Sequence, residues 1–147
     1  MAAGLRAGLS AKLYRNTATW ATPTWDEITA AQNVTLNLTM NMAEVKARLS
    51  AFVQNLTTLK VVGFSFNMIN DTSIADHNIL RDAHHAGTLV GYAVADDAIA
   101  TSGTEHYRLE GYLTTFNVTQ NLEEAMMVDC AVVPAYSANV PVWTDVA

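Results

Sequence analysis

The stretch VTLNLTMNM constrains this chain more than any other. Val34, Leu36, Leu38, Met40 and Met42 alternate strictly with Thr35, Asn37, Thr39 and Asn41. Successive side chains of a strand point to opposite faces, whereas a helix returns to one face only every three or four residues. The period therefore predicts a long strand with one apolar and one polar face. After Ala43 and Glu44 the parity slips, and Val45, Ala47 and Leu49 alternate with Lys46 and Arg48. A slip of one residue turns every later side chain to the other face unless a bulge or turn absorbs it. The spacing predicts a long hairpin or a bent strand, with a second strand running through Val45 to Leu49.

The same period recurs. After a pause at QNLTT, Val62, Phe64, Phe66 and Met68 alternate with small or polar residues, and so do Val90, Tyr92 and Val94. HYRLEGYLTTFNVTQ and MMVDCAVVPAYS read as a closing antiparallel pair joined around NLEEA. NTATWATPTWDEI reads as a loop that closes with Trp25 entering a strand. In the tail, PAYSANVPVWTDVA, Pro134 and Pro141 discourage a central strand.

One segment breaks the pattern. NDTS offers capping side chains, IADHNILRDAHHA follows, and Gly87 stands where a helix commonly stops. This predicts one helix from Ser73 to Ala86. The order β-β-β-α-β-β-β, without alternation of strands and helices, points to a mainly β fold: an antiparallel sandwich or barrel with a long hairpin and one packed helix. A chain of 147 residues fits a single domain, 1–147, with 1–11 and 134–147 as extended terminal segments.

Composition narrows the function. Half of the residues are hydrophobic and only 15% are charged, which is apolar for a small monomer and suggests that some of this surface meets other protein chains. The net charge of −6, with eight Lys and Arg scattered along the sequence, leaves no basic field to grip nucleic acid. The single cysteine, Cys130, allows no internal disulfide and reads as a small buried hydrophobe. No apolar run is long enough for a signal peptide or a membrane span, so the chain reads as cytoplasmic in origin. Five N-x-S/T sequons, at Asn33, Asn37, Asn55, Asn70 and Asn117, are read only as Asn and Thr alternating along strands.

DHNILRDAHHAG holds three of the four histidines and is the one stretch that looks like chemistry. On a helical wheel His77, Arg81 and His84 fall on one side, flanked by Asn78, Asp82 and His85, with Ile79, Leu80, Ala83 and Ala86 opposite. That is an amphipathic helix with a polar outer face. A helical metal site needs ligands three or four residues apart. His77 and His84 are two turns apart, about 10.5 Å along the axis, with Arg81 between them. His84 and His85 point about 100° apart. His77, Arg81, His84 and His85 are thus candidates for a subunit contact rather than for metal or acid/base work. No nucleophile elbow, phosphate loop, dinucleotide fingerprint or C-x-x-C occurs. The pairs Asp96-Asp97 and Glu123-Glu124 read as turn or rim residues, and Phe64, Phe66, Tyr107, Tyr112 and Phe116 as core. No catalytic, cofactor-binding or metal-binding residues are expected, and no cofactor.

Three stretches together resemble the phage tail tube proteins. TWDEITAAQNVTLNLTMNMAEVKAR is similar to their opening strand and long hairpin, DHNILRDAHHAGT to their single helix, and LEGYLTTFNVTQNLEEAMMVDCAVVPAYS to their closing strand pair. The resemblance spans about residues 12 to 144. The chain departs from the pattern at NLEEA, where a proline is common before the leucine, and at ARLSAFVQN, where a glycine- and arginine-rich tip is common. The resemblance implies a major tail tube subunit of a phage or phage-like particle: a structural virion protein whose hexameric rings stack into a hollow conduit for DNA. It implies that Val34, Thr35, Leu36, Asn37, Leu38, Thr39, Met40, Asn41, Met42, Val45, Lys46 and Arg48 form ring wall, joined by Tyr112, Thr114 and Phe116. On this reading the Thr/Asn face borders a water-filled lumen while the Leu/Met face packs against the subunit. The implied partners are further copies of the chain, the tape measure, baseplate or initiator and terminator proteins, and DNA in transit, with no membrane. The implied location is the virion tail, assembled in the host bacterial cytoplasm. Two other readings stand beside it: a capsid-decorating or head-tail connector protein, and a ligand-binding β-sandwich using Trp20, Trp25 or Trp143 as stacking platforms. A hydrolase or metal enzyme ranks last.

Overall fold

The computed structural model describes residue 8 and residues 11–46, 48 and 51–145. Among them run β1 (Lys12–Asn16), β2 (Trp25–Glu27), β3 (Ala31–Val45), β4 (Gln54–Ile69), α1 (Ala75–Ala86), β5 (Val90–Ala95), β6 (Glu105–Thr119), β7 (Met127–Pro134) and β8 (Val142–Asp145). The strands form one antiparallel sheet in the order β2-β1-β5-β6-β7-β4-β3, with β8 also paired to β6. The mainly β, one-helix architecture is the one the alternation predicts.

The sheet curls over itself. Phe64 of β4 and Tyr92 of β5 are separated in the sheet by β6 and β7, yet their rings meet edge to face at 5.3 Å. Phe64, Met68, Tyr92, Leu109, Val128 and Val132 are fully buried in one core with Leu80 of the helix. Cys130 joins them, and burial pushes its thiol up to about 12, so it stays protonated and acts as a small hydrophobe.

β6 makes the curl possible by serving two neighbourhoods. Glu105 to Arg108 pair with β8, and Gly111 onward pairs with β7. At the changeover Gly111 faces both Val90 and Pro134. A Cβ there would lie 2.3 Å from the Val133 carbonyl oxygen, so only glycine lets the strands approach.

Two strands escape the sequence pattern. In β1, Leu13 lies in the main core and Tyr14 in a second cluster with Ala93 and Ala95. Both faces are covered, so no alternation appears. β8 follows Pro141 directly and pairs with β6, a short strand within the extended tail from 134 to 147. QNLTT is not a pause but the start of β4. The strand expected through Val45 to Leu49 is also corrected: β3 ends at Val45, with Lys46 and Arg48 beyond it in the connection and Ala47 and Leu49 outside the described residues. Two register shifts bend the hairpin. One puts an extra residue in β3 near Asn33, whose φ of 50° is one that asparagine tolerates better than most residues. The other lies on β4 opposite Asn41, where Thr58 Oγ1 donates to the Asn41 carbonyl at 2.9 Å.

The helix begins at Ala75, not at Ser73, and no side chain caps it. Asp71 is occupied instead, since Oδ1 accepts from the Ser73 N–H at 2.9 Å and from the Ser73 hydroxyl at 2.6 Å, closing a separate turn. Gly87 ends the helix in the left-handed region at φ 69°, as predicted.

Candidate assembly interface

β3 pairs with β4 along nearly its whole length, but only Phe64 to Ile69 of β4 also pair with β7. From Asn37 and Gly63 outward, the hairpin is a ribbon of two strands, with no third strand on either side among the described residues. Such a ribbon is marginally stable in water unless a further surface covers it.

Its side chains ask for that cover. Leu36 packs against the core, but Leu38, Met40 and Met42 on the same face are 45%, 39% and 57% exposed. The expectation that the Leu/Met face packs against the subunit thus holds only as far as Leu36. Alternation tells which residues share a face, not how far the body reaches beneath them. The opposite face is not purely polar either. Thr39 pairs with Val61 and Ala43 with Leu56, and Leu56, Leu59 and Val61 are all exposed. With Phe52 and Val53, the hairpin leaves eight large apolar side chains in water. Each contributes about 1.5–3 kcal/mol when fully buried, and contiguous exposed apolar surface of this kind marks an interaction site.

An open hollow of about 520 Å³ lies at the root of the hairpin, where Leu38, Met40 and Val62 face Tyr107, Val142 and Trp143. Half-exposed Trp143 meets Tyr107 edge to face at 4.9 Å. The apolar core is therefore continuous with the exposed ribbon.

The remaining candidates separate into two groups. Lys46 and Arg48 are exposed beyond β3, and Lys46 pairs with Glu44 at 3.4 Å. Tyr112 is exposed, and Thr114 donates to the Ala131 carbonyl at a register shift. Phe116 instead receives the helix: His77 meets it edge to face at 5.7 Å and His84 stacks on it at 6.1 Å. The polar outer face drawn for His77 is thereby corrected. Asp76, His77, Leu80 and Ala83 are buried, while Ile79 is exposed, so the inward stripe is centred on Leu80. Flat imidazole rings serve as aromatic packing surface, which a hydropathy-weighted wheel reads as polar. Arg81 and His85 face solvent, and Arg81 pairs with Asp82 at 3.2 Å. Among the described residues no three His, Cys, Asp or Glu side chains gather as a metal ion requires.

The tryptophans are engaged within the chain. The Arg108 guanidinium lies 4.1 Å from the Trp20 ring centre and 5.4 Å from that of Trp25, and donates to the Trp20 carbonyl at 2.6 Å. Beside it, His106 is buried against Trp25. Burial, and then the Arg108 charge, hold its imidazole below the ordinary range, against the opposing pull of Asp145 and Asp96. Arg15 binds both Asp26 and Asp76 at 3.0 Å, tying the β1–β2 hairpin to the helix. Except for Arg15 and Asp26, eleven residues apart, these pairs were invisible in the sequence because their members lie tens of residues apart.

Nearly the whole chain superposes on chains from tail particles and a tail tube. A chain from the tail of an empty gene transfer agent particle with C6 symmetry matches with a TM-score of 0.74 over 97% of this chain and 100% of its own, at 9% identity. A chain from the virion of a native gene transfer agent particle gives 0.73 over 95% and 99%, at 10% identity. The SPP1 tail tube gives 0.68 over 96% and 80%, at 12% identity. This is a tail tube fold. No protein-family model and no curated protein matches the sequence. Among the described residues, the β3–β4 hairpin carries eight of the exposed large apolar side chains.

Proposed function

We propose that this chain is the major tail tube subunit of a tailed phage or phage-like particle, a structural virion protein that forms stacked hexameric rings around a conduit for DNA. The uncovered hairpin carries the reading: a ribbon apolar on both faces, with a free strand edge along β3, is completed when neighbouring copies supply the missing strands and side chains. The likeness to a C6-symmetric tail supports six copies per ring.

In this role Val34 to Met42, with Val45, Lys46, Arg48, Tyr112, Thr114 and Phe116, contribute to the ring wall. The exposed helix residues Arg81, His84 and His85 contact the neighbouring subunit, His77 being buried. A net charge of −6 suits a conduit, because DNA slides where few phosphate contacts hold it. Tape measure, baseplate or initiator and terminator proteins are its other partners. It resides in the virion tail and assembles in the host bacterial cytoplasm. The role requires neither catalysis nor a cofactor.

Electron microscopy of the purified protein, alone and with tail initiator proteins, tests this. Rings or hollow tubes are expected. A species that stays monomeric at every concentration and with every initiator overturns the reading.

A further inference from the structure

β8 is lightly held. Its four residues pair only with Glu105 to Arg108 of β6, and among the described residues no strand lies on its other side. Val142 and Trp143 are exposed. Within that short pairing, opposite Thr144, sits His106, buried with its ring edge to face on Trp25 at 6.1 Å. Its Nδ1 is buried and has no hydrogen-bond partner among the described residues. A neutral ring tolerates this, since with the proton on Nε2 the Nδ1 atom only forgoes an acceptor role. A charged ring does not. Its Nδ1–H becomes a buried donor with nothing to accept it, and its charge is withdrawn from water.

The charges around the ring differ in sign. Arg108, two residues along the same face of β6, is fixed against Trp20 and Trp25 and cannot swing away from a second cation. Asp145 of β8 and Asp96, which follows β5, favour the charged ring, and Trp25 of β2 brings no charge. Burial and then Arg108 prevail over the two carboxylates. A charged ring gains room where the wall is weakest. Trp25 is backed by Arg108 and by the β1–β2 pairing, whereas β8 pairs with nothing but β6. Segments with few buried contacts open before the body of a domain does. We propose that His106 is the catch of an acid-sensitive latch, in which a proton on its ring releases β8 from β6 while the rest of the sheet stays folded. Release carries Val142 and Trp143 away from the hollow that they line with Leu38, Met40 and Val62. The root of the hairpin thereby has a closed form at neutral pH and an open form in acid, whatever assembles upon it.

Hydrogen exchange of the full chain tests this, read by mass spectrometry on peptides from β8 and β7 and scaled at each pH to the rate of an unstructured chain. Release returns the ring to its ordinary value of 6.5. Between that value and the latched one, the open fraction of β8 should rise about tenfold for each pH unit lost, while Val128 to Val132 stay protected. His106→Gln, which takes no charge, should abolish the rise. Asp145→Asn, an exposed change, should enlarge it, because the latched ring then takes its proton only at a still lower pH. Protection of β8 that is constant with pH, or that falls equally in the glutamine variant, overturns the latch. So does simultaneous loss in β7, which would mean that the whole domain opens. If the glutamine variant does not fold, the asparagine variant decides, and an unchanged or smaller rise there overturns the latch.

Discussion

The two halves of β4 carry the same kind of residue and meet opposite fates. Phe64, Phe66 and Met68 are buried, while Leu56, Leu59 and Val61 stand in water. The difference is both face and neighbour: Val61 and Leu56 pair with Thr39 and Ala43 on the face opposite the one that carries Phe64, and β7 pairs with β4 only from Phe64 onward. Apolar spacing commits a strand to being covered, but the fold decides whether its own chain provides the cover. Where it does not, the uncovered half is a surface for another molecule.

The sharpest way to break this comparison is to truncate one residue in each half. Phe64→Ala removes a ring that touches both Phe66 and Tyr92, and should lower the unfolding free energy of the dilute monomer by about 3–5 kcal/mol. Leu56→Ser with Leu59→Ser should change it by no more than about 0.5 kcal/mol, yet abolish assembly. Chemical denaturation of both, with particle sizing of the second, decides the matter. Equal destabilisation would show that the hairpin is part of the monomer's core.

Within the body, Gly111→Val forces the strands apart against the Val133 carbonyl and should cost about 1–3 kcal/mol in the same denaturation experiment. Arg108→Ala removes the cation held against both tryptophans and the bond to the Trp20 carbonyl. A loss of about 1–2 kcal/mol is expected, with a change in tryptophan fluorescence as the readout. An unchanged spectrum would mean that the ring stacking does not persist in solution.

The gentlest effect is graded by pH. The folded chain holds His106 below its ordinary value of 6.5, chiefly by burial and then by the charge of Arg108. A depressed folded value favours the neutral ring in the folded state, so this stabilisation is complete above the unfolded value. It is lost as pH falls from there through the folded value. The melting temperature should therefore drop as the pH falls below the unfolded value of about 6.5, and less so in a His106→Gln variant. A drop of equal size in the variant assigns the effect to another group.

Much of the fold was legible in local pattern. Val34 to Met42, Val62 to Met68 and the closing pair around NLEEA are strands because their period of two survives burial on one face. Gly87 ends the helix because it adopts a positive φ without steric cost. β1 was illegible because Leu13 and Tyr14 are both covered, and β8 because a four-residue strand after a proline carries too little pattern. The helix's orientation was misjudged because His77 and His84 pack as aromatic rings on Phe116. Of the candidate interface, the hairpin strand was foreseen and its exposure was not.

The sequence by itself determined the class of fold, the place of the single helix and the existence of a long hairpin. Each follows from residue spacing, which acts over a few positions. Only the tertiary structure decided which apolar residues are covered and that Arg108 lies between Trp20 and Trp25. It also decided that His106 meets both Trp25 and β8. Those depend on what is brought alongside, and burial, unlike periodicity, is a property of neighbours far away in the chain.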